Sequence, residues 1–244
     1  MIDSRVICNS MVIGNGAIAK SFMGLNHNDL CVFASGVSNS NEINKDLYDR
    51  EFELLEKTIH ENQEKKLIYF STSSVETKPV SPYIKHKIRL EHYIGFNSQN
   101  HLILRLPNVV SGSVNKHQLI GYFYDSLINQ NPIAIISHYE RNLIDVGDIP
   151  KIVDFLLKNS PEIKKITVGF LNQLTVKEIV LILEEITNRK FVSISEIGGV
   201  NEKKLNNDLF LKVIDGHESE FNIDPFKIIK KYYSNENISP SIHI

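Results

Sequence analysis

A tyrosine and a lysine stand four residues apart in the segment 81–87, which reads Ser-Pro-Tyr-Ile-Lys-His-Lys. Side chains at positions i and i+4 lie on the same face of a helix, so Tyr83 and Lys87 are expected to be neighbours. A protonated lysine near a phenol favours the phenolate and lowers the pKa of the tyrosine. The preceding apolar run ends in hydroxyls, and Ser73 among them would complete a proton-transfer site. Such a trio suits the interconversion of a carbinol and a carbonyl.

The Tyr-x-x-x-Lys spacing is a weak signal by itself, because it arises by chance in many helices. The alternative is a packed tyrosine beside a solvated lysine. His86 lies in the same segment but off the face that Tyr83 and Lys87 share, so it is expected to be exposed to solvent. The surrounding elements have to decide between the two interpretations.

The composition is that of an ordinary α/β protein. The chain has 244 residues, 42% hydrophobic and 23% charged, which fits one α/β domain or a nucleotide-binding domain with a small additional lobe. A formal net charge of -2 gives no reason to expect nucleic-acid binding. No apolar run reaches the roughly 18 residues of a membrane span. No secretory signal opens the sequence. We therefore expect a cytoplasmic protein without a membrane partner.

The cysteines and histidines predict neither a disulfide nor a metal site. Cys8 and Cys31 do not form a Cys-x-x-Cys pattern, and Cys31 lies in an apolar run, so it is predicted to be a small core residue. The histidines form no His-x-x-x-His or His/carboxylate cluster.

Strands and helices alternate through the first half of the chain, which predicts an α/β fold with a Rossmann-like, doubly wound parallel sheet. The second half is less regular, with a capping box at Thr175 and Glu178 that opens a helix. The predicted strands are 10–13, 29–34, 67–70, 101–106 and 133–136. One predicted helix follows the first strand and ends at Phe22. The others cover 46–61, 83–94, 117–130, 148–157, 174–186 and 225–233.

Gly14, Gly16 and Ala19 form a Gly-x-Gly-x-x-Ala turn between the first strand and the first helix, the context of a dinucleotide-binding fingerprint. Gly14 allows the tight turn, Gly16 lets the backbone approach a pyrophosphate, and Ala19 permits close packing. The alternative is an ordinary strand–helix turn. Only residues 20–28 separate this helix from the next strand, so the adenosine-binding half is expected to be shortened, and no pattern distinguishes NADH from NADPH.

These motifs together resemble the extended short-chain dehydrogenase/reductase family, the NAD-dependent nucleotide-sugar epimerases, dehydratases and reductases, over nearly the whole chain. The segment 70–75 resembles the family's strand with the catalytic hydroxyl, which falls on Ser73. By the match at 81–87, Tyr83 is the acid/base and Lys87 binds the nicotinamide ribose. The resemblance implies NAD(H) or NADP(H) as cofactor. The cofactor contacts it implies are Gly14, Asn15, Gly16, Ala17, Ile18, Ala34, Ser35, Gly36, Ser71, Lys87 and Pro107.

The resemblance also implies a nucleotide-sugar substrate, bound by Ser73, Ser74, Asn108 and Arg141. It implies a cofactor domain at 1–112 with parts of 140–170, and a C-terminal α+β substrate lobe at 113–139 and 171–244. Helices 46–61 and 83–94 are the pair through which the family forms homodimers, although they are equally interpretable as ordinary sheet-covering helices. The resemblance further implies that the enzyme supplies a deoxysugar for the synthesis of O-antigen or another surface polysaccharide.

Departures from the family pattern bear on the reaction. The family's 4,6-dehydratases carry an Asp-Glu pair after the hydroxyl residue, whereas Ser74 and Val75 stand here and the displaced Glu76 is interpreted as a surface residue. Asn142 and Asp145 replace a common Asp and His. A shortened adenosine pocket favours an enzyme that exchanges its cofactor in every turnover over one that must retain it. We therefore predict a ketoreductase acting on a nucleotide-linked 4-keto-6-deoxy sugar. A nucleotide-sugar epimerase and a non-catalytic nucleotide-binding sensor or pseudoenzyme are the alternatives.

Overall fold

The computed structural model describes residues 11–23, 28–78, 80–112, 115–199 and 203–234. The strands are β1 (Met11–Ile13), β2 (Leu30–Phe33), β3 (Lys66–Thr72), β4 (His101–Leu106), β5 (Asn108–Val110), β6 (Ile133–Ile135), β7 (Glu140–Asp145), β8 (Lys165–Thr167), β9 (Gln173–Thr175) and β10 (Ile194–Glu196). The α-helices are α1 (Ala17–Ser21), α2 (Lys45–Glu61), α3 (Ser74–Thr77), α4 (Pro82–Asn97), α5 (Leu119–Ile128), α6 (Asp148–Asn159), α7 (Val176–Thr187), α8 (Asp208–Val213) and α9 (Pro225–Tyr233).

Five parallel strands form the central sheet in the order β1-β2-β3-β4-β8. Strand β1 lies at one edge, and within the described residues no strand pairs with its outer side. In the common doubly wound fold the first strand is central and the second and third strands lie beyond it. The prediction of a Rossmann-like sheet with a shortened adenosine-binding half is therefore confirmed.

Apolar side chains cover both faces of this sheet, because successive strand residues point to opposite sides. On one face, Val32 and Ile68 belong to a core that includes residues of α1 and α6. On the other face, Cys31 and Tyr69 belong to a core with residues of α2 and α4. Burying each large apolar side chain contributes about 1.5–3 kcal/mol, which fixes the helices against the strands. Helices α2 and α4 thus cover the sheet, and the homodimer stays a prediction.

A third core joins α5, α7 and α9 to residues of β6 and β7. Beside it, β5, β7 and β9 form a three-stranded sheet, and β6 pairs with β10. Thr175 and Glu178 make both hydrogen bonds of the predicted capping box at the start of α7. The division into a cofactor domain and a substrate lobe stays a prediction.

Cys31 is a core residue, as predicted, and burial raises the pKa of its thiol to about 11. Cys8 and the segment 235–244 lie outside the described residues. No helix in the described ranges is long and apolar enough to cross a membrane.

Candidate active site

The turn between β1 and α1 has the geometry that its glycines predict. Gly14 has a φ of +126°, and a Cβ there would collide with the carbonyl of Ala34. At Gly16 a Cβ would meet no atom of the described residues within 4 Å, so their packing does not require this glycine and leaves the space beside it open to a ligand. Among the described residues no side chain caps the start of α1, which leaves its first backbone N–H groups without a side-chain acceptor there.

A cavity of about 790 Å³ begins at this turn and reaches the carboxyl ends of β2 and β3; we call it the cofactor cavity. All predicted cofactor contacts line it except Ser71. Ser71 points to the opposite face of β3 from Thr72, and its hydroxyl donates to Glu91 Oε1 at 2.6 Å. The prediction that Ser71 contacts the cofactor is therefore wrong, because strand alternation directs its side chain toward α4.

The start of α4 fixes the position of Tyr83. Ser81 Oγ accepts a hydrogen bond from the backbone N–H of Ile84 at 3.2 Å, and Pro82 is the first helical residue. Tyr83 follows directly, is half-buried and lines the cofactor cavity. Lys87 Nζ lies 5.8 Å from the centre of the Tyr83 ring. The structure thus brings the two residues together, as the spacing predicts.

Lys87 is 3% exposed, and a buried carboxylate of α2 holds its ammonium group. Nζ donates to Glu51 Oε1 at 2.7 Å and to Tyr69 OH at 3.3 Å. Burial opposes the charge on Lys87, but the electrostatic effects of Tyr69 and Glu51 outweigh it and raise the pKa of the lysine. Burial likewise opposes ionisation of Glu51, yet Lys87 and hydrogen bonds from its neighbours lower the pKa of this carboxyl to about 2. The two groups therefore form a charged pair near neutral pH.

His86 is buried, which contradicts the prediction of an exposed side chain. Its Nε2 lies 3.0 Å from Glu51 Oε2, and its ring centroid lies 4.5 Å from that of Tyr48. The prediction was wrong because α2 packs over this side of α4, which the sequence of α4 alone does not reveal.

A second cavity, of about 410 Å³, lies next to the first and is called the substrate cavity. Ser73 and Arg141 line the substrate cavity but not the cofactor cavity. A ligand group bound where the two cavities meet would lie within reach of residues from both. The residues that line both cavities are Thr72, Ser74, Pro107 and Asn108.

Strand β7 brings Arg141 to the substrate cavity, with its guanidinium carbon 5.0 Å from the centre of the Tyr139 ring. Asp145, further along the strand, accepts hydrogen bonds from Lys231 Nζ at 2.7 Å and Tyr232 OH at 2.6 Å. Asp145 therefore joins β7 to α9, and it does not line either cavity.

Glu76 belongs to an ionic network, so its interpretation as a surface residue is wrong. Its Oε1 pairs with Arg105 Nη1 and accepts from Thr167 Oγ1 at 3.1 Å. Arg105 also donates from Nε to Glu91 Oε1 at 2.9 Å. Glu76 lines neither cavity, because Arg105 and Thr167 hold its carboxylate.

Several residues that line the cavities were not predicted as site residues. Thr72 stands next to the predicted hydroxyl residue and lines both cavities. Lys203 and Lys204 line the substrate cavity, and the backbone N–H of Lys203 donates to the carbonyl of Thr77 at 3.1 Å. Only the tertiary fold brings this distant segment to α3. His138 and Glu140 also line the substrate cavity.

The sheet, the glycine turn and the Tyr83–Lys87 helix define a Rossmann-like α/β fold. No family model matches the chain, and no curated protein matches its sequence. Solved structures do match it, at identities that show the fold alone.

The chain is similar to a UDP-galactose 4-epimerase, at 18% identity and a TM-score of 0.67, over 90% of this chain and 81% of that one. It is also similar to TunA, an NAD-dependent NDP-hexosamine 5,6-dehydratase of tunicamycin biosynthesis, at 16% identity and a TM-score of 0.65, over 84% and 75% of the two chains. A dTDP-glucose 4,6-dehydratase of Bacillus anthracis, solved with NAD, matches at 16% identity and a TM-score of 0.64, over 84% and 72%. The fold that the sequence motifs predict is confirmed.

Proposed function

We propose that the chain is an NAD(P)-dependent enzyme of the extended short-chain dehydrogenase/reductase family that reduces a nucleotide-linked 4-keto-6-deoxy sugar. The observation that carries this proposal is the junction of the two cavities. Tyr83 and Lys87 line one cavity, Arg141 lines the other, and Thr72 and Ser74 line both. The similar structures named above are a UDP-galactose epimerase and two dehydratases of nucleotide-linked sugars.

The residues present fit the phosphate and nicotinamide portion of NAD(H) or NADP(H). The turn at Gly14, the open space at Gly16 and the uncapped start of α1 suit a pyrophosphate, and Lys87 suits a ribose. When bound, a nicotinamide cofactor supplies the hydride that reduces the keto carbon. The bare outer edge of β1 within the described residues implies fewer contacts to the adenosine portion than a full doubly wound sheet provides.

The chain's own residues supply the rest of the chemistry. Tyr83 donates the proton to the oxygen of the reduced carbon, and the hydroxyl of Ser73 or its neighbour Thr72 orients the carbonyl. Arg141, together with Lys203 in the same cavity, suits the diphosphate of a nucleotide sugar.

Elimination of water is disfavoured, because a dehydratase needs an acid and a base beside the reacting hydroxyl. Ser74 and Val75 stand where the family has its acidic pair, and Glu76 is held by Arg105 outside both cavities. Reduction with exchange of cofactor in every turnover tolerates a shortened adenosine site.

An epimerase is the second candidate, since it oxidises and re-reduces one substrate without releasing its cofactor. Tight retention of the cofactor needs strong contacts along its whole length, which the edge position of β1 disfavours. A nucleotide-binding sensor is the third candidate. The joint presence of Ser73, Tyr83 and Lys87 at the cavities argues against it, because binding alone does not require a proton-transfer site.

The proposal is tested by titrating the purified protein with NADH and NADPH separately, following thermal stability. Saturable binding of either supports a redox enzyme and identifies the preferred cofactor. Consumption of the reduced cofactor is then measured with 4-keto-6-deoxy sugar nucleotides. Cofactor that co-purifies and survives desalting favours the epimerase. No binding of either cofactor by the folded protein would refute the enzymatic proposal.

A further inference from the structure

Glu51 on α2 is a buried carboxylate, 1% exposed, that receives hydrogen-bonding groups from three other parts of the fold. Oε1 accepts from Lys87 Nζ at 2.7 Å and from Tyr69 OH at 3.3 Å. Oε2 accepts from the backbone N–H of Val37 at 2.8 Å and lies 3.0 Å from His86 Nε2. A single side chain therefore connects α2, β3, α4 and the segment after β2.

Packing alone does not explain an acid at this position. Glu51 shares the buried stripe of α2 with Leu55 and Ile59, and a buried ion pair is often no more stabilising than well-packed apolar residues of similar volume. Losing one partner is costly, however, because the other charge stays buried. The ion pair with Lys87 is therefore better explained by the positions in which it holds its neighbours than by its contribution to stability.

The hydrogen bonds of Lys87 leave a donor for a ligand. An ammonium group has three N–H donors. Glu51 and Tyr69 accept two of them among the described residues, and Lys87 lines the cofactor cavity. The orientation of the third donor is consequently fixed by the two acceptors.

The ion pair also lies against the backbone of the cavity wall. A Cβ at Gly36 would lie 3.0 Å from Glu51 Oε1 and 3.0 Å from Lys87 Nζ, so the glycine allows this close approach. The next residue, Val37, donates its backbone N–H to the same carboxylate. The segment 34–37, which lines the cofactor cavity, and Lys87 are thus positioned by one group.

We propose that Glu51 is a positioning residue for cofactor binding, which holds Lys87 Nζ and the 34–37 segment in the geometry that receives the sugar hydroxyls of a nicotinamide nucleotide. The inference rests on the proposed function. Pre-organised groups lose less freedom when a ligand binds, so they raise affinity without adding contacts. In a fold with a shortened adenosine half, this effect replaces part of the missing contact surface.

The test compares Glu51→Gln, Glu51→Asp and the exposed control Glu53→Gln by the Kd of the better-bound cofactor and by thermal stability. Glu51→Gln removes the charge that holds Lys87, and we expect the Kd to rise about tenfold or more, the free-energy equivalent of about one good charged hydrogen bond. Glu51→Asp keeps the charge with a shorter reach, so we expect an intermediate Kd. Glu53→Gln should bind like the wild type.

A double-mutant cycle with Lys87→Met separates positioning from general stability. If Glu51 acts through Lys87, Glu51→Gln has little further effect on the Kd in the Lys87→Met background. An equal loss in both backgrounds, or an unchanged Kd for Glu51→Gln, overturns the inference. If Glu51→Gln does not fold, an unchanged Kd for Glu51→Asp overturns it. Failure of the wild-type protein to bind either cofactor refutes the proposed function instead.

Discussion

Asn142 and Phe170 are joined by two hydrogen bonds, which use both polar groups of the asparagine side chain and both backbone groups of the phenylalanine. Asn142 Nδ2 donates to the carbonyl of Phe170, and Asn142 Oδ1 accepts from its N–H at 3.1 Å. Both residues are buried. A carboxylate has no donor for the carbonyl, so the pair explains why asparagine occupies this position.

Replacing Asn142 by Asp should therefore destabilise the fold. The substitution leaves the Phe170 carbonyl without its donor and buries a negative charge beside it, which should lower the free energy of unfolding by about 2 kcal/mol or more. Urea denaturation measures the change. Asn172→Asp is the control, because Asn172 makes one exposed hydrogen bond, to the carbonyl of Ile223, and should change stability by about 0.5 kcal/mol or less. Equal effects at the two sites would contradict the explanation.

Tyr83→Phe should remove turnover and leave cofactor binding nearly intact. The phenol is the proposed proton donor, and general acid catalysis typically contributes about 10²–10⁴-fold to kcat. Steady-state kinetics and a cofactor titration measure the two quantities. Tyr122→Phe, on α5 and outside both cavities, is the matched control. Turnover like that of the wild type in Tyr83→Phe would remove this residue from the mechanism.

Thr72→Val and Ser73→Ala distinguish two candidates for the hydroxyl that orients the carbonyl. Thr72 lines both cavities and Ser73 lines only the substrate cavity. We expect Thr72→Val to lower kcat by about 10²-fold, the usual cost of losing one such donor, and Ser73→Ala to have the smaller effect. Ser73 makes no side-chain cap bond to α3, so its removal should leave this helix in place. The reverse order of effects would assign the role to Ser73, as the family resemblance implies.

Stability should fall in acid through the titration of Glu51. The pKa of Glu51 is lowered from 4.5, its value in the unfolded chain, to about 2 in the folded protein. The ionised carboxylate therefore stabilises the fold fully at pH values above 4.5. That stabilisation is lost as the pH falls from 4.5 toward 2, and amounts to roughly 3 kcal/mol for a shift of this size. Urea denaturation at several pH values should show this slope for the wild type and for Glu53→Gln. The same slope in Glu51→Gln would show that another group is responsible.

Local sequence patterns predicted the elements whose signals are local. Strand 101–106 and helix 225–233 match β4 and α9, because apolar runs and a Pro at the helix start define them directly. Strands β5, β8, β9 and β10 have three residues each and were missed, because each includes a polar residue and none forms an apolar run. Strands β1 and β6 are equally short, but their residues are all apolar, so they were predicted. Strand β7 was not predicted although it carries Arg141, Asn142 and Asp145, because a resemblance at single positions does not specify secondary structure.

The site was predictable to the extent that its residues belong to one turn or one helix. Gly14, Tyr83 and Lys87 were found by spacing. Glu51 was missed because it acts on α4 from α2, and its only sequence signal is an acid within an apolar helical stripe. His86 was placed wrongly because α2 packs over it, and Ser71 because strand alternation directs its side chain toward α4.

The edge position of β1 reverses the handedness of the first crossover. From β1 to β4 the chain advances across the sheet in one direction, yet α1 belongs to the core on one face and α2 and α4 to the core on the other. The connection through α1 therefore has the opposite hand from the next two. Packing of Phe22 on Phe70, with ring centroids 5.6 Å apart, helps to hold α1 on the face of the sheet that it shares with α6.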